Sequence, residues 1–150
     1  MYTVEQFDEN KSKVLKYVLY KKRSKQEVKN KFNNIIDNEM LSDIIDELEE
    51  NGYINDKNYI EKAVNEFEAL QNLSIREIRY KLYSKGIPNN LIENYITENA
   101  ESLVEYELES AKKIAIKKMN MMDEEAVTQF LLKKGYLGES VKEAIREIEN

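Results

Sequence analysis

Residues 74–87, SIREIRYKLYSKGI, are echoed forty-nine positions later by DEEAVTQFLLKKGY. A repeat of that length restricts the chain to folds in which one supersecondary unit stacks on copies of itself. In the first stretch Ser74 and Glu77 have the S-x-x-E spacing in which a side chain and a backbone amide satisfy each other at a helix start. Ile78 and Leu82 then form an apolar face, Gly86 sits where a left-handed residue ends a helix, and Pro88 prevents simple continuation. Leu91, Ile92, Tyr95 and Ile96 supply the face of a second short helix. The other copy superposes without a gap: Asp123 stands for Ser74, Val127 for Ile78, Leu131 for Leu82, Gly135 for Gly86, Val141 for Ile92 and Ile145 for Ile96.

A further copy starts at Ser24, with Glu27 completing the box, Val28 and Phe32 on the apolar face, and Ile45 and Leu48 in the following helix. It needs about two extra residues around the turn, by the helix-boundary signals, and Ile36 stands where glycine is expected. Each pair is preceded by another apolar-periodic segment: Val14 to Leu19, then Tyr59, Ala63, Val64, Phe67 and Leu70, then Leu108, Ala111, Ile114, Ala115 and Met119. The expectation is an all-α chain of nine helices in three tandem three-helix repeats, 1–52, 53–99 and 100–150. Each repeat is near the lower size for burying a core alone, so neighbours should share contacts. Three units of roughly 25 Å give an elongated row, with room for curvature, of roughly 75 Å. A generic helical scaffold has the same pattern.

Composition narrows the chemistry. With no cysteine and no histidine among 150 residues, thiol nucleophiles, disulfides, imidazole catalysis and the usual transition-metal ligand sets are excluded. The N-terminus lacks the basic-then-apolar pattern of a secretory signal, so a cytoplasmic protein with no membrane span is expected. The four glycines form neither a P-loop nor a dinucleotide fingerprint. Carboxylates such as Asp43, Asp46, Glu47 and Glu50 follow the exposed face of an acidic helix. No catalytic constellation emerges, and the chain is expected to act by binding, without a cofactor.

The net charge of −6 conceals a strong segregation. Residues 11–31 carry nine Lys or Arg against the single acid Glu27, a local charge of +8, whereas residues 37–50 carry seven acids and no base. Further basic positions are Arg76, Arg79, Lys81 and Lys85, then Lys112, Lys113, Lys117, Lys118, Lys133 and Lys134. Ordinary solvated helix faces account for isolated charges of this kind, but a dense basic stripe can neutralise phosphates with counterion release. Tyr59 and Tyr95 occupy apolar positions and should be core. For Tyr80, Tyr83 and Tyr136, near basic residues, base stacking and packing between repeats are both open.

The order of these motifs resembles the RecX family of regulators of the RecA recombinase. VLKYVLYKKRSKQEVKNKF is similar to the family's opening helices, with Arg23, Ser24, Glu27 and Val28 in matching places. In LEENGYINDKNYIEKAV, the residues Leu48, Gly52, Tyr53, Asp56 and Tyr59 resemble the family's glycine, aromatic and Asp turn. IREIRYKLYSKGI and FLLKKGY resemble the middle and C-terminal helices. The resemblance implies a non-enzymatic, monomeric regulator, mainly an inhibitor. Its partner would be the RecA filament, and through it single-stranded DNA, with weak direct DNA contact. The contacts expected on the basic stripe are Lys21, Lys22 and Arg23 in the first repeat, Arg76, Arg79 and Lys85 in the second, and Lys133 and Lys134 in the third. A helix-turn-helix-like reader of duplex DNA and a protein-only adaptor are the alternatives.

Overall fold

The structure, a computed structural model, describes residues 1–150 and consists of nine α-helices with no strand. They are α1 (Val4–Tyr20), α2 (Lys25–Phe32), α3 (Asn38–Glu50), α4 (Asp56–Leu70), α5 (Ile75–Ser84), α6 (Asn89–Glu98), α7 (Ala100–Lys118), α8 (Glu124–Lys134) and α9 (Gly138–Glu149). No helix is long and apolar enough to cross a membrane.

The local signals account for the helix ends. Ser24 and Ser74 each accept the backbone amide three residues on at 3.1 Å, while Glu27 and Glu77 accept the serine amides at 2.9 Å. Both reciprocal boxes are therefore closed. Asp123 caps α8 through the Ala126 amide at 2.9 Å. Thr3 and Gln6 make a further capping box at α1 that the repeat alone did not point to. Gly52, Gly86 and Gly135 all adopt positive φ after α3, α5 and α8. The first repeat turns differently between its second and third helices. Its α2 has eight residues where α5 has ten, and the chain bends back through amides of Ile35 and Ile36 bonded to the Phe32 carbonyl. Ile36 is thereby buried in the core instead of forming a left-handed turn.

Three apolar clusters follow one another along the chain. The first gathers Val14, Val18, Val28 and Phe32 with the α3 residues Leu41, Ile44, Ile45 and Leu48. The second gathers Ile60, Val64, Ile78, Leu82 and Ile92, with Leu103 and Tyr106 from the first half of α7. The third is built on Ala111 and Ala115 from the second half of α7 with Val127, Leu131, Val141, Ala144 and Ile145. One helix therefore serves two cores. Leu19 and Leu70, read as core positions from periodicity, are exposed near the ends of α1 and α4, where the interior has already run out. Tyr59 and Tyr95 are half-buried against the second core.

The helices of each repeat pack on one another, and α5 and α6 also pack on α7, while the first repeat meets the second through hydrogen bonds of Ser24 and Lys25. The accessible surface is 9661 Å² for 17.7 kDa, about a fifth above the roughly 8,000 Å² of a compact monomer of that mass. The excess fits an elongated row of repeats better than a sphere.

Candidate functional site

The two joints between repeats use one set of contacts twice. At the first, Ser24 Oγ donates to the Lys85 carbonyl at 2.7 Å, and the Lys25 amide donates to Asp56 Oδ1 at 2.8 Å. At the second, Ser74 Oγ donates to the Lys134 carbonyl at 3.0 Å, and the Ile75 amide donates to Glu107 Oε2 at 2.8 Å. Each capping serine thus accepts within its own helix and donates to the next repeat. The receiving helix end finishes on a left-handed glycine, and a Cβ there would lie 2.3 Å from Gln26 Cβ at Gly86, or 2.6 Å from Arg76 Nε at Gly135. Backbone conformation and close approach together require glycine at these two positions.

The second joint carries more than this shared set. Glu107 is fully buried and also accepts the Leu137 amide at 2.8 Å. Tyr106 donates to the Leu73 carbonyl at 2.7 Å, and the Tyr136 and Ser110 hydroxyls lie 2.6 Å apart. Lys134 pairs with Glu77 at 2.8 Å. At the first joint Asp56 is buried, and burial raises its carboxyl above the ordinary range although the Lys25 amide opposes the rise. Burial, aided by the neighbouring Glu27 carboxylate, pushes the Tyr59 phenol up to about 12.

A cleft of about 210 Å³ opens at this first joint. Lys21 and Lys22 line it from the first repeat and Lys62 and Lys85 from the second, with Glu27, Tyr59 and Glu66 completing the walls. Three of the expected contact residues, distant in sequence, are brought together here with a fourth lysine that the sequence reading did not single out. Four ammonium groups against two carboxylates leave a local cationic excess suited to an anionic group.

The remaining expected contacts are distributed elsewhere. The Arg23 guanidinium stacks 3.9 Å from the Tyr17 ring centroid, and its Nε donates to the Tyr17 carbonyl. Arg76 donates to the Lys133 carbonyl at 2.9 Å, across the second joint. Arg79 makes a two-pronged pair with Glu93 at 2.7 and 3.2 Å, linking α5 to α6. Lys133 is exposed and forms no ion pair within 4.0 Å. Of the tyrosines considered for stacking, Tyr80 and Tyr83 are 71% and 60% exposed, whereas Tyr136 is 3% exposed. Tyr136 is a residue of the third core, its hydroxyl against Ser110, whose own Oγ reaches the Leu73 carbonyl of the second repeat at 3.4 Å. The acidic α3 meets the basic helices of its own repeat through Lys11–Glu47 at 2.7 Å and Lys25–Glu49 at 3.2 Å. No group of three or more His, Cys, Asp or Glu is arranged to hold a metal ion.

Glu107 was missed because an acid in a charge-rich sequence reads as surface. Its signal lay in its spacing, since Leu103, Tyr106, Glu107, Ser110 and Ala111 fall on one helical face. That face is buried.

No family model matches the chain. It is 32% identical over 138 residues to the regulatory protein RecX of Staphylococcus haemolyticus, covering 89% of this chain and 52% of that protein. It is 29% identical over 138 residues to the regulatory protein RecX of Clostridium botulinum, strain Eklund 17B, covering 85% of this chain and 63% of that protein. The chain spans about half the length of the first of these relatives. Among solved structures, RecX from Lactobacillus salivarius superposes with a TM-score of 0.82 at 26% identity, over 98% of this chain and 99% of the other. A second regulatory protein RecX gives 0.78 at 25% identity, over 92% and 72%. Fold and joints define an all-α tandem-repeat protein, three helices to a repeat, with a lysine-lined cleft at its first joint. In sequence over most of its length, and in fold, the chain is similar to the RecX family.

Proposed function

We propose that the chain regulates a RecA recombinase without catalysing a reaction itself, lying along RecA filaments on single-stranded DNA and restraining ATP hydrolysis and strand exchange. The relatives are named regulatory proteins. The observation that carries the reading is the cationic cleft within a linear row. Repeats 1–52, 53–99 and 100–150 serve as successive contact units, so that each contact raises the effective concentration of the next. Lys21, Lys22 and Lys85, with Lys133 in the last repeat, meet acidic filament surfaces or DNA phosphates. Arg23, Arg76, Arg79 and Lys134 act mainly by holding the helices that present them. Occupying the filament groove limits filament extension, or the protomer movements that accompany ATP turnover. The protein acts in the cytoplasm as a monomer and needs no cofactor.

The direct test is the steady-state ATPase of the cognate RecA on single-stranded DNA, with this protein titrated in. Suppression well below one copy per protomer supports filament capping or groove occupancy. No effect at equimolar protein would sink the proposal. Charge reversal at Lys21, Lys22 and Lys85 together should weaken filament binding and flatten its salt dependence without unfolding the chain. Unchanged binding would mean that the cleft is not the contact surface.

A further inference from the structure

The repeated joint is a two-part coupling. Its giving part is the start of a second helix: a serine hydroxyl, the first helical amide, and a side chain at serine plus two, as in Ser24, Lys25 and Gln26, then Ser74, Ile75 and Arg76. Its receiving part is a carboxylate on the next repeat's first helix, together with a helix-end carbonyl followed by a left-handed glycine. Asp56, Lys85 and Gly86 supply it once, and Glu107, Lys134 and Gly135 supply it again.

Neither the second helix of the third repeat nor the turn of the first carries the matching part. In the third repeat the giving positions hold Asp123, Glu124 and Glu125. Asp123 still caps its helix, but an ionised carboxylate has no hydrogen to donate to an incoming carbonyl. In the first repeat the receiving position of the glycine is taken by Ile36, a buried core residue without positive φ. The face of the third repeat otherwise keeps a receptive shape, a groove of about 430 Å³ lined by Leu132, Val141 and Ile145. In the second repeat the equivalent crevice, with Ile75, Ile96 and Ala100, lies against Leu103, Glu107 and Leu137. In the third, Glu124 and Glu149 occupy the places of Ile75 and Ala100, and the bond and repulsion from Glu149 raise the Glu124 carboxyl above its ordinary range. A carboxylate arriving where Asp56 and Glu107 sit at the other joints would meet this acidic pair instead of an apolar surface.

We propose that the face at Asp123–Glu125 is closed to this coupling. The coupling is built at the two joints and withheld at this face, so that neither a further repeat in the same register nor a second copy of the chain stacks there. The acidic residues there are a stop signal in the coupling's own chemistry.

The test appends a fourth repeat. A second copy of residues 99–150 is joined after Glu147, the position equivalent to Glu98, which replaces Glu149 by a copied Ala100. One version retains Asp123, Glu124 and Glu125, and the other carries Asp123→Ser, Glu124→Ile and Glu125→Arg, the residues of the second repeat. All three positions are exposed, and serine is as good a helix cap as aspartate. Full helicity by circular dichroism verifies that both versions fold. Hydrogen exchange at the residue-124 amide then reports docking, because that amide bonds the copied Glu107 only when the fourth repeat is seated. The expected result is protection tenfold or more higher in the substituted version, with the junction of the retained version open to limited proteolysis. Equal protection in both versions would overturn the proposal, as the acidic face would then accept a repeat. Absence of protection in both, with helicity complete, would equally overturn it, since these three residues would not carry the coupling. Concentration-dependent head-to-tail association of the parent chain in sedimentation experiments would be a third contrary result.

Discussion

Gly135→Ala and Gly138→Ala, three positions apart, should change stability in opposite directions. At Gly135 the backbone φ is +108° and a Cβ would approach Arg76 Nε to 2.6 Å and Ser74 Oγ to 3.0 Å. Holding an L-residue in the left-handed region costs about 1–2 kcal/mol. Moving Arg76 and Ser74 aside removes their bonds to the Lys133 and Lys134 carbonyls, at about 0.5–1.5 kcal/mol each. Adding the strain to both bonds gives a destabilisation of about 2–5 kcal/mol. Gly138 begins α9 with nothing within 4 Å of its would-be Cβ and no positive φ. Alanine there should stabilise by roughly 0.4–1 kcal/mol through the unfolded chain. Urea unfolding followed by far-UV circular dichroism gives both values, and a Ser74→Ala, Gly135→Ala cycle separates strain from joint. If the joint carries part of the cost, Ser74→Ala is cheaper in the Gly135→Ala background than in the parent. Strictly additive losses, or a Gly135→Ala effect below about 1 kcal/mol, the lower limit of backbone strain alone, would refute the account.

Ser24→Ala and Ser74→Ala should each lose a cap worth about 1 kcal/mol and a joint bond worth about 0.5–1.5 kcal/mol, measurable by the same unfolding assay. Asp56→Asn keeps an oxygen for the Lys25 amide while removing a carboxyl whose folded pKa is raised by burial. Since that group favours folding most when protonated, the parent should match the variant best in acid. It should lose ground as pH rises through and beyond the carboxylate range, as pH-dependent unfolding would detect. The Tyr136 phenol, held protonated by burial, should stay silent in an alkaline absorbance titration until the chain unfolds. Tyr136→Phe should cost about 1 kcal/mol for the lost bond to Ser110.

Local structure was largely legible because its signals are local. Ser24, Ser74, Asp123 and the glycines at 52, 86 and 135 act within a few residues, and periodicity found all nine helices. What escaped depends on where a helix end meets a distant one. Nothing within Ser24-Lys25-Gln26 says that the serine has a second partner sixty-one residues away. Arginines such as Arg79 read as a basic surface because the acid that pairs with them, Glu93, lies on another helix. Tyr136 follows a lysine pair and a glycine, a context that looks exposed until Ser110 arrives from α7. The cleft was legible only as a charge density, and its assembly from two repeats required the turn at Gly52 and the course of α4.

The passage of α7 from one apolar cluster into the next divides the row unequally. A sharp kink in a helix needs a proline, a glycine or a break in its hydrogen-bond ladder, and α7 contains no proline or glycine, so the second and third repeats behave as a single lever. The first repeat is tied to that lever by the Ser24 and Lys25 bonds and by the short segment around Gly52. A partner lattice whose spacing shifted by a few ångströms, less than one helical turn, would therefore load only one place in the molecule. That place is the mouth lined by Lys21, Lys22, Lys62 and Lys85, where the width of the opening and the spacing of the four ammonium groups change together.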